Sequence, residues 1–341
     1  MPSPLDALLA RRESRQGEVA VSSGDVLRWS EAHRETSTRH WPDGTPDWVA
    51  PPAMVTSFVR PLEWRPERQG PPAHRGSSLH EQLKGELGYP LGIAAGYELE
   101  LHGLLRDGDR IEAVERIASV GEQEQTRLGP GRRWVIENAC TRVGPGDLVA
   151  VERFSMLGYD PAAGDPSAAP AAPHSHPRGT SRDPGGDQVN HGVGGSGPDR
   201  VEEIEVSAVV IVMGASANRV WVPAHLDRDA AQAAGVRDLF MDTSTQVGLL
   251  SGVAVRATGA DARPGRLSLR MRRPICPGDH LRIEARTGDE TTDAVGVRWY
   301  PVEVRALVGD VVHSTLTARI AVGGPADRSD PWGLSGAAWS P

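Results

Sequence analysis

A chain of 341 residues, 38% hydrophobic and 24% charged, can fill ordinary cores and suits two domains better than one, which excludes a peptide hormone, a small disulfide scaffold and a wholly disordered chain. Its 37 basic against 45 acidic residues leave a net charge of −8, which disfavours a general nucleic-acid binder, and two cysteines, Cys140 and Cys276, make neither a disulfide framework nor a four-cysteine zinc site. There is no apolar run of about 18 residues, and the opening MPSPLDALLARRESRQ has charges where an export signal needs an apolar core, so a cytoplasmic protein without a membrane partner is expected.

In chain order, SSGDVLRWSEAH (Ser22 to His33) predicts a capped amphipathic helix, and APPAMVTSFVRPL (Ala50 to Leu62) a shorter, proline-led helix that is buried. YELELHGLLRDGDRIEAVERI (Tyr97 to Ile117) alternates, turns at Gly-Asp and alternates again, and GPGDLVAVERFSML (Gly144 to Leu157) repeats that strand pattern after its own Gly-Asp turn. Residues 160–200, dominated by Pro, Gly, Ala, Ser and Asp, read as a flexible linker. His174, His176 and His191 lie in it without the regular carboxylate or thiolate spacing of a metal cage, so no metal is expected. Beyond it, Pro223 to Gly235 has the start and stop signals of a helix, and DTSTQVGLLSGVAVRAT (Asp242 to Thr258) predicts a capped helix that is apolar on most sides.

Leu267 to Gly288 then matches Tyr97 to Ile117 at a shift of 170 residues, set by aligning Gly108-Asp109 with Gly278-Asp279, and Leu307 to Ile320 answers Gly144 to Leu157. An internal duplication accounts for this, with halves at 1–159 and 201–325, the linker between them and a tail at 326–341. Each half reads as one long buried helix and a curled antiparallel sheet, an α+β class.

Three features carry a resemblance to the MaoC-like hydratase/dehydratase family. His225-Leu226-Asp227 followed by Ala231 and Gly235 matches the family's H-x-D-x-x-x-A-x-x-x-G segment. RMRRPICPGDHLRIEA (Arg270 to Ala285) matches its arginine-rich strand and Pro-Gly-Asp turn. Val49 to Met54 and Thr126 to Gly131 look like the N-terminal halves of fused two-half members. The stretches ANRVWVPAHLDRDAA, DTSTQVGLL and RRPICPGD are also similar to hydratases of actinobacterial steroid side-chain degradation. The resemblance implies a double hot-dog: two curled antiparallel sheets, each wrapped around a buried helix, packed side by side. It implies reversible addition of water across a 2-enoyl thioester of coenzyme A or a carrier protein, in lipid, steroid or polyketide metabolism, with no cofactor and with a homodimer or a partner hydratase subunit as possible assembly.

In that family an Asp and a His spaced D-x-N-x-x-H move the two protons, and helix N-terminal N–H groups polarise the thioester carbonyl. Here Val220 and Val222 stand where the Asp and Asn belong, leaving His225. Asp242 could replace the acid by geometry or simply cap its helix. A second pair, Glu35 and His40, has the same spacing in the first half and reads either as an acid/base pair or as solvated loop residues. Thr243, beside the N-cap, and Trp221 are candidate substrate contacts, and Trp221 and Trp299 read alternatively as core. Arg270, Arg272 and Arg273 suit either coenzyme A phosphates or a basic edge strand that blocks aggregation. The altered acid/base pair leaves two classes open: a thioester hydratase/dehydratase, with a related elimination, isomerisation or cyclisation as variants, and a non-catalytic acyl-thioester binder serving a separate hydratase subunit.

Overall fold

The structure is a computed structural model that describes residues 3–44, 47–67, 78–126, 128–160, 197–259, 261–325 and 330–341. Most of the expected linker, and His174, His176 and His191 with it, lies outside the described residues. The first half supplies strands β1 (Arg12–Gln16), β2 (Leu91–Leu101), β3 (Ile111–Thr126), β4 (Gly129–Arg142) and β5 (Leu148–Tyr159). The second supplies β6 (Arg200–Glu205), β7 (Arg263–Met271), β8 (His280–Thr287), β9 (Thr291–Thr292), β10 (Arg298–Val308) and β11 (Val311–Gly323).

All eleven join one antiparallel sheet in the order β1-β3-β4-β5-β2-β7-β11-β10-β8-β6, with β9 beside β10. The order is a palindrome of the duplication, and its centre is the pairing of β2 with β7. There Glu98 faces Ser268, its own counterpart at the 170-residue shift, so a pseudo-two-fold axis passes through that pair. This is the shared sheet expected of a double hot-dog. It also corrects the reading of Arg270, Arg272 and Arg273 as one edge strand, because Arg270 lies on β7, an interior strand bonded to β2 and β11, and Arg272 and Arg273 follow its end. The edges are the short, charged β1 and β6, which discourage further strand pairing.

The duplication extends to the helices. α2 (Ser23–Ala32) and α4 (Ala208–Ala217) correspond at a constant shift of 185 residues, as do their serine N-caps, Ser22 and Ser207. Two residues further on, Arg34 (φ 53°) and Arg219 (φ 57°) are the two non-glycine residues with positive φ among those described, and they share the same shift. The helix expected over Pro223 to Gly235 divides into a 3-10 turn, Pro223–His225, and α5 (Arg228–Ala233), because Asp227 accepts the Ala230 N–H at 2.8 Å and caps a new helix there.

The buried helices are where the halves part. α6 (Thr243–Thr258) runs 16 residues inside the second half's sheet, from the Asp242 cap to Gly259 at φ 135°. The first half does not hold the long helix expected of it. It has an eight-residue 3-10 segment, Pro52–Val59, because Pro51 and Pro52 remove the first donors and Pro61 stops propagation. The rest of that concave face is covered by α1 (Pro4–Ala10) and α3 (Ser78–Glu86), whose Leu8, Leu79 and Leu83 pack on Ile117, Trp134 and Ile136 as a separate apolar cluster.

Residues 330–341, expected as tail, are docked. The Arg263 guanidinium lies 3.6 Å from the Trp339 ring centre and donates to the carbonyls of Pro331 (3.1 Å) and Leu334 (2.9 Å), and the Trp339 indole donates to Leu101 O in the first half (2.6 Å). Cation–π contact and satisfied carbonyls make this arginine's burial tolerable. Trp299 belongs to this cluster, against Trp339 and Leu334, and does not line the main cavity.

Beneath the seam, Asn218 is fully buried and joins three helices. Its Oδ1 accepts from the Trp29 indole (2.9 Å), and the two hydrogens of its Nδ2 are shared among Gly214 O (3.0 Å), Thr245 Oγ1 (3.2 Å) and His33 Nε2 (3.0 Å). An indole only donates, so the amide orientation is fixed and His33 Nε2 must accept. Its other nitrogen then donates to Trp29 O at 2.8 Å, so neutral His33 is satisfied at both nitrogens. Burial pushes the His33 pKa down to about 4 despite the Trp29 carbonyl and the carboxylates of Asp242 and Glu35, which pull the other way. The unfolded chain therefore binds the extra proton first, and stability should fall as pH drops from about 6.5 to about 4, by roughly 3 kcal/mol from this residue. Urea denaturation at pH 7 and pH 4.5 should show a smaller loss in His33→Gln than in the wild type. A Cβ on Gly248 would overlap the His33 ring, so Gly248→Ala should lower the unfolding free energy by the about 1–3 kcal/mol typical of overpacking, read by the same titration.

Candidate functional site

The principal cavity, about 330 Å³, lies where the first half lacks its long helix. Thr56 and Val59 of the 3-10 segment and His80 and Glu81 of α3 line it on one side, and the second half contributes Val220, Trp221, Val222, His225, Asp242, Thr243 and Ser244. Its volume falls at the lower end of the about 300–1,000 Å³ usual for ligand pockets.

His225 enters this cavity at the end of its 3-10 turn, half-buried and edge-on to Phe240. Its Nδ1 lies 2.8 Å from Phe240 O, which requires a proton on Nδ1 and leaves Nε2 as an acceptor. The first half repeats the contact between His40 Nδ1 and Val49 O, also 2.8 Å. Val220 and Val222 occupy the rim with no ionisable group, as the sequence requires.

Asp242, 2% exposed, spends its carboxylate on α6: it accepts from Ser244 N (2.9 Å), Thr245 N (3.1 Å) and Thr245 Oγ1. That is the capping alternative in full, and the carboxylate does not pair with His225. Thr243, the first helical residue, has an N–H without an intrahelical acceptor, and the residue lines the same cavity. Arg60 crosses from the first half to donate to Ser244 Oγ at 2.8 Å and to Asn218 O, tying the 3-10 segment to the start of α6.

Glu35 and His40 meet at a second cavity of about 20 Å³, room for about one water. Glu35 accepts Ser37 N–H at 2.8 Å, and the buried His40 packs edge-on to Trp332, with burial pulling its pKa down. Pro51 and Pro52, which have no N–H to donate, line this cavity together with the docked Trp332. Arg270, Arg272 and Arg273 are exposed and outside the cavity lining, Arg270 on the face of β7 opposite Leu269 and Met271.

Sequence reading missed the cavity's polar floor. Glu152, 3% exposed, accepts from Tyr97 Oη and from Asn138 Nδ2, each at 3.0 Å. Burial raises its pKa, against the lowering pull of Arg60, Tyr97, Arg15 and Asn138. Glu115 accepts Leu79 N–H at 3.0 Å and lies 3.7 Å from Arg15. The signal was available: Glu115, Asn138 and Glu152 each interrupt the inward, apolar phase of β3, β4 and β5.

No family model matches the sequence. A probable enoyl-CoA hydratase alpha subunit of Thermomonospora curvata is 27% identical over 158 residues, 44% of this chain and 48% of that protein, so the chain spans about half the length of the curated relative it matches. A solved MaoC-like dehydratase superposes with a TM-score of 0.62 at 16% identity, covering 93% of this chain and 99% of its own. The fold is the double hot-dog of the MaoC-like dehydratases. A second such dehydratase, from Phytophthora capsici, gives 0.59 at 12% identity over 92% of this chain and 98% of its own. A Mycobacterium tuberculosis protein described as a double hot-dog gives 0.52 at 15% identity over 92% of this chain and 96% of its own. Among the described residues of this double hot-dog, no helix is long and apolar enough to cross a membrane.

Because Asp242 acts on its own helix, Asp242→Asn, which can still cap, should stay within about 0.5 kcal/mol of wild type, whereas Asp242→Ala should lose about 0.5–2 kcal/mol. Thermal and urea melts of the two variants measure this directly.

Proposed function

We propose that this double hot-dog is an acyl-thioester hydratase/dehydratase of lipid, steroid or polyketide metabolism, acting in the cytosol through His225 as a single acid/base. The observation that carries the reading is one cavity that holds both His225, with Nε2 as its free acceptor, and the N-terminus of α6. Similarity to a probable enoyl-CoA hydratase subunit and to MaoC-like dehydratase structures supports it.

In the dehydration direction, His225 Nε2 takes the α-proton of a 3-hydroxyacyl thioester and returns it to the departing β-hydroxyl. The products are the 2-enoyl thioester and water, and the imidazole ends as it began. Thr243 N–H receives the carbonyl oxygen as negative charge develops on it. One residue shuttling both protons suits elimination and addition on the same face.

Val220 favours a second reading, a non-catalytic subunit that binds the thioester for a separate hydratase, since acid/base help is worth about 10²–10⁴-fold. The relative's description as an alpha subunit supports that partner reading. A panel of 2-enoyl- and 3-hydroxyacyl-thioesters of coenzyme A and of a carrier protein, followed by ultraviolet absorbance and by oxygen-18 exchange, separates the two. Turnover by the chain alone should fall about 10²–10⁴-fold in His225→Ala, while Glu35→Gln and His40→Ala stay within about threefold. Turnover only on adding a partner subunit would establish the binding role, and a loss confined to the first-half variants would move the chemistry there.

A further inference from the structure

The two halves face their sheets with rows that correspond residue for residue. In the second half, Ala285, Val304, Leu316 and Leu269 are consecutive cross-strand partners on β8, β10, β11 and β7, each 0% exposed on the face that wraps α6. In the first half, the partners Glu115, Asn138, Glu152 and Leu99 run across β3, β4, β5 and β2 in the same order. Leu99 is the counterpart of Leu269 at the 170-residue shift, so three of the four positions that grip a helix in one half are polar in the other. Among the described residues no long helix covers them, and all three line the cavity.

These groups are 2%, 2% and 3% exposed, and a buried polar atom without a partner costs about 1–3 kcal/mol. Asn138 gives its amide N–H to Glu152, and its Oδ1 has no hydrogen-bond partner among the described residues. An acceptor without a partner thus stands in the cavity's lining, beside Arg15, whose Nε is likewise unpartnered among the described residues; a hydroxyl, which both donates and accepts, suits the two. The two acids are matched by Arg15 and Arg60, whose charges act on Glu152, so an ammonium group would meet two guanidinium groups as well as two carboxylates. A neutral donor meets no such conflict. A hydrocarbon chain would leave Asn138 Oδ1 buried and unsatisfied.

We propose that the first-half floor of the cavity receives a hydroxyl group on the acyl chain, remote from the thioester, and that this hydroxyl donates to Asn138 Oδ1. The placement relative to the thioester rests on the reading of His225 and α6 above, which sets the reacting end against the second half. The floor selects oxygenated acyl chains over plain alkyl ones, because a site built to hydrogen-bond a hydroxyl discriminates against the analogue that lacks it.

The test measures binding, by quenching of tryptophan fluorescence and by calorimetry, of hexanoyl-, octanoyl- and decanoyl-coenzyme A and of their ω- and (ω−1)-hydroxylated counterparts. The corresponding free fatty acids and hydroxy acids form a second series without the thioester. The proteins are the wild type, Asn138→Leu, and a triple variant carrying the second half's residues, Glu115→Ala, Asn138→Val and Glu152→Leu, each checked for a cooperative melt. The wild type should bind at least one hydroxylated chain about tenfold tighter than its alkyl counterpart, and Asn138→Leu should abolish that preference and tighten the alkyl chain. Equal or weaker binding of every hydroxylated chain by the wild type, a preference that survives Asn138→Leu, or no binding of either series overturns the proposal. If the triple variant does not melt cooperatively, the single variant decides. An Asn138-dependent preference seen only among the free acids would uphold the floor and count against the thioester reading.

Discussion

The antiparallel bonding of β2 to β7 sets the geometry of the rest of the molecule, because it closes the one long edge that each half's sheet would otherwise expose. With Glu98 opposite its own counterpart Ser268, every other duplicated pair must lie about the same axis. Asn218 does beneath the sheet what the backbone does within it: its side chain takes the donor of Trp29 and meets the acceptors of His33 and Thr245, so the start of α6 is held by the first half as well as by its own. Arg60 adds a second tie to the same place through Ser244 and Asn218. The N-terminus of α6 is therefore fixed from both sides of the axis.

Symmetry of backbone coexists with asymmetry of content. The second half is filled by α6, whose residues from Ser244 to Ala254 are all buried. In the first half, prolines at both ends reduce the corresponding segment to Pro52–Val59, and the space released is the principal cavity. A fully apolar sheet face over an empty volume would gain nothing from exposure to water. Glu115, Asn138 and Glu152 place polar groups on that face instead, supported by Tyr97 and Arg15.

The small first-half cavity shows the same division from the other side. His40 keeps the backbone contact that its counterpart His225 makes, but Trp332 packs against it and prolines stand at the helix start. Two copies of one turn thus end in different surroundings, one beside open volume and one beneath the docked C-terminal segment.

The amino-acid sequence by itself determined the duplication, the Gly-Asp turns at Gly108 and Gly278, the capped helices starting after Ser22 and Asp242, and the α+β class, because each rests on local periodicity, caps and turn chemistry that neighbouring residues decide among themselves. It also held, unread, the polar interruptions at Glu115, Asn138 and Glu152, which look like ordinary solvated positions until the strand's inward phase is known. Only the tertiary structure decided that these three residues are cross-strand neighbours over a cavity, that Asp242 is consumed by its cap, that β7 is interior, and that Trp332 packs on His40. Those are facts of long-range register and of which volume is left unfilled, and residues far apart in sequence settle them together, through packing that no single segment encodes.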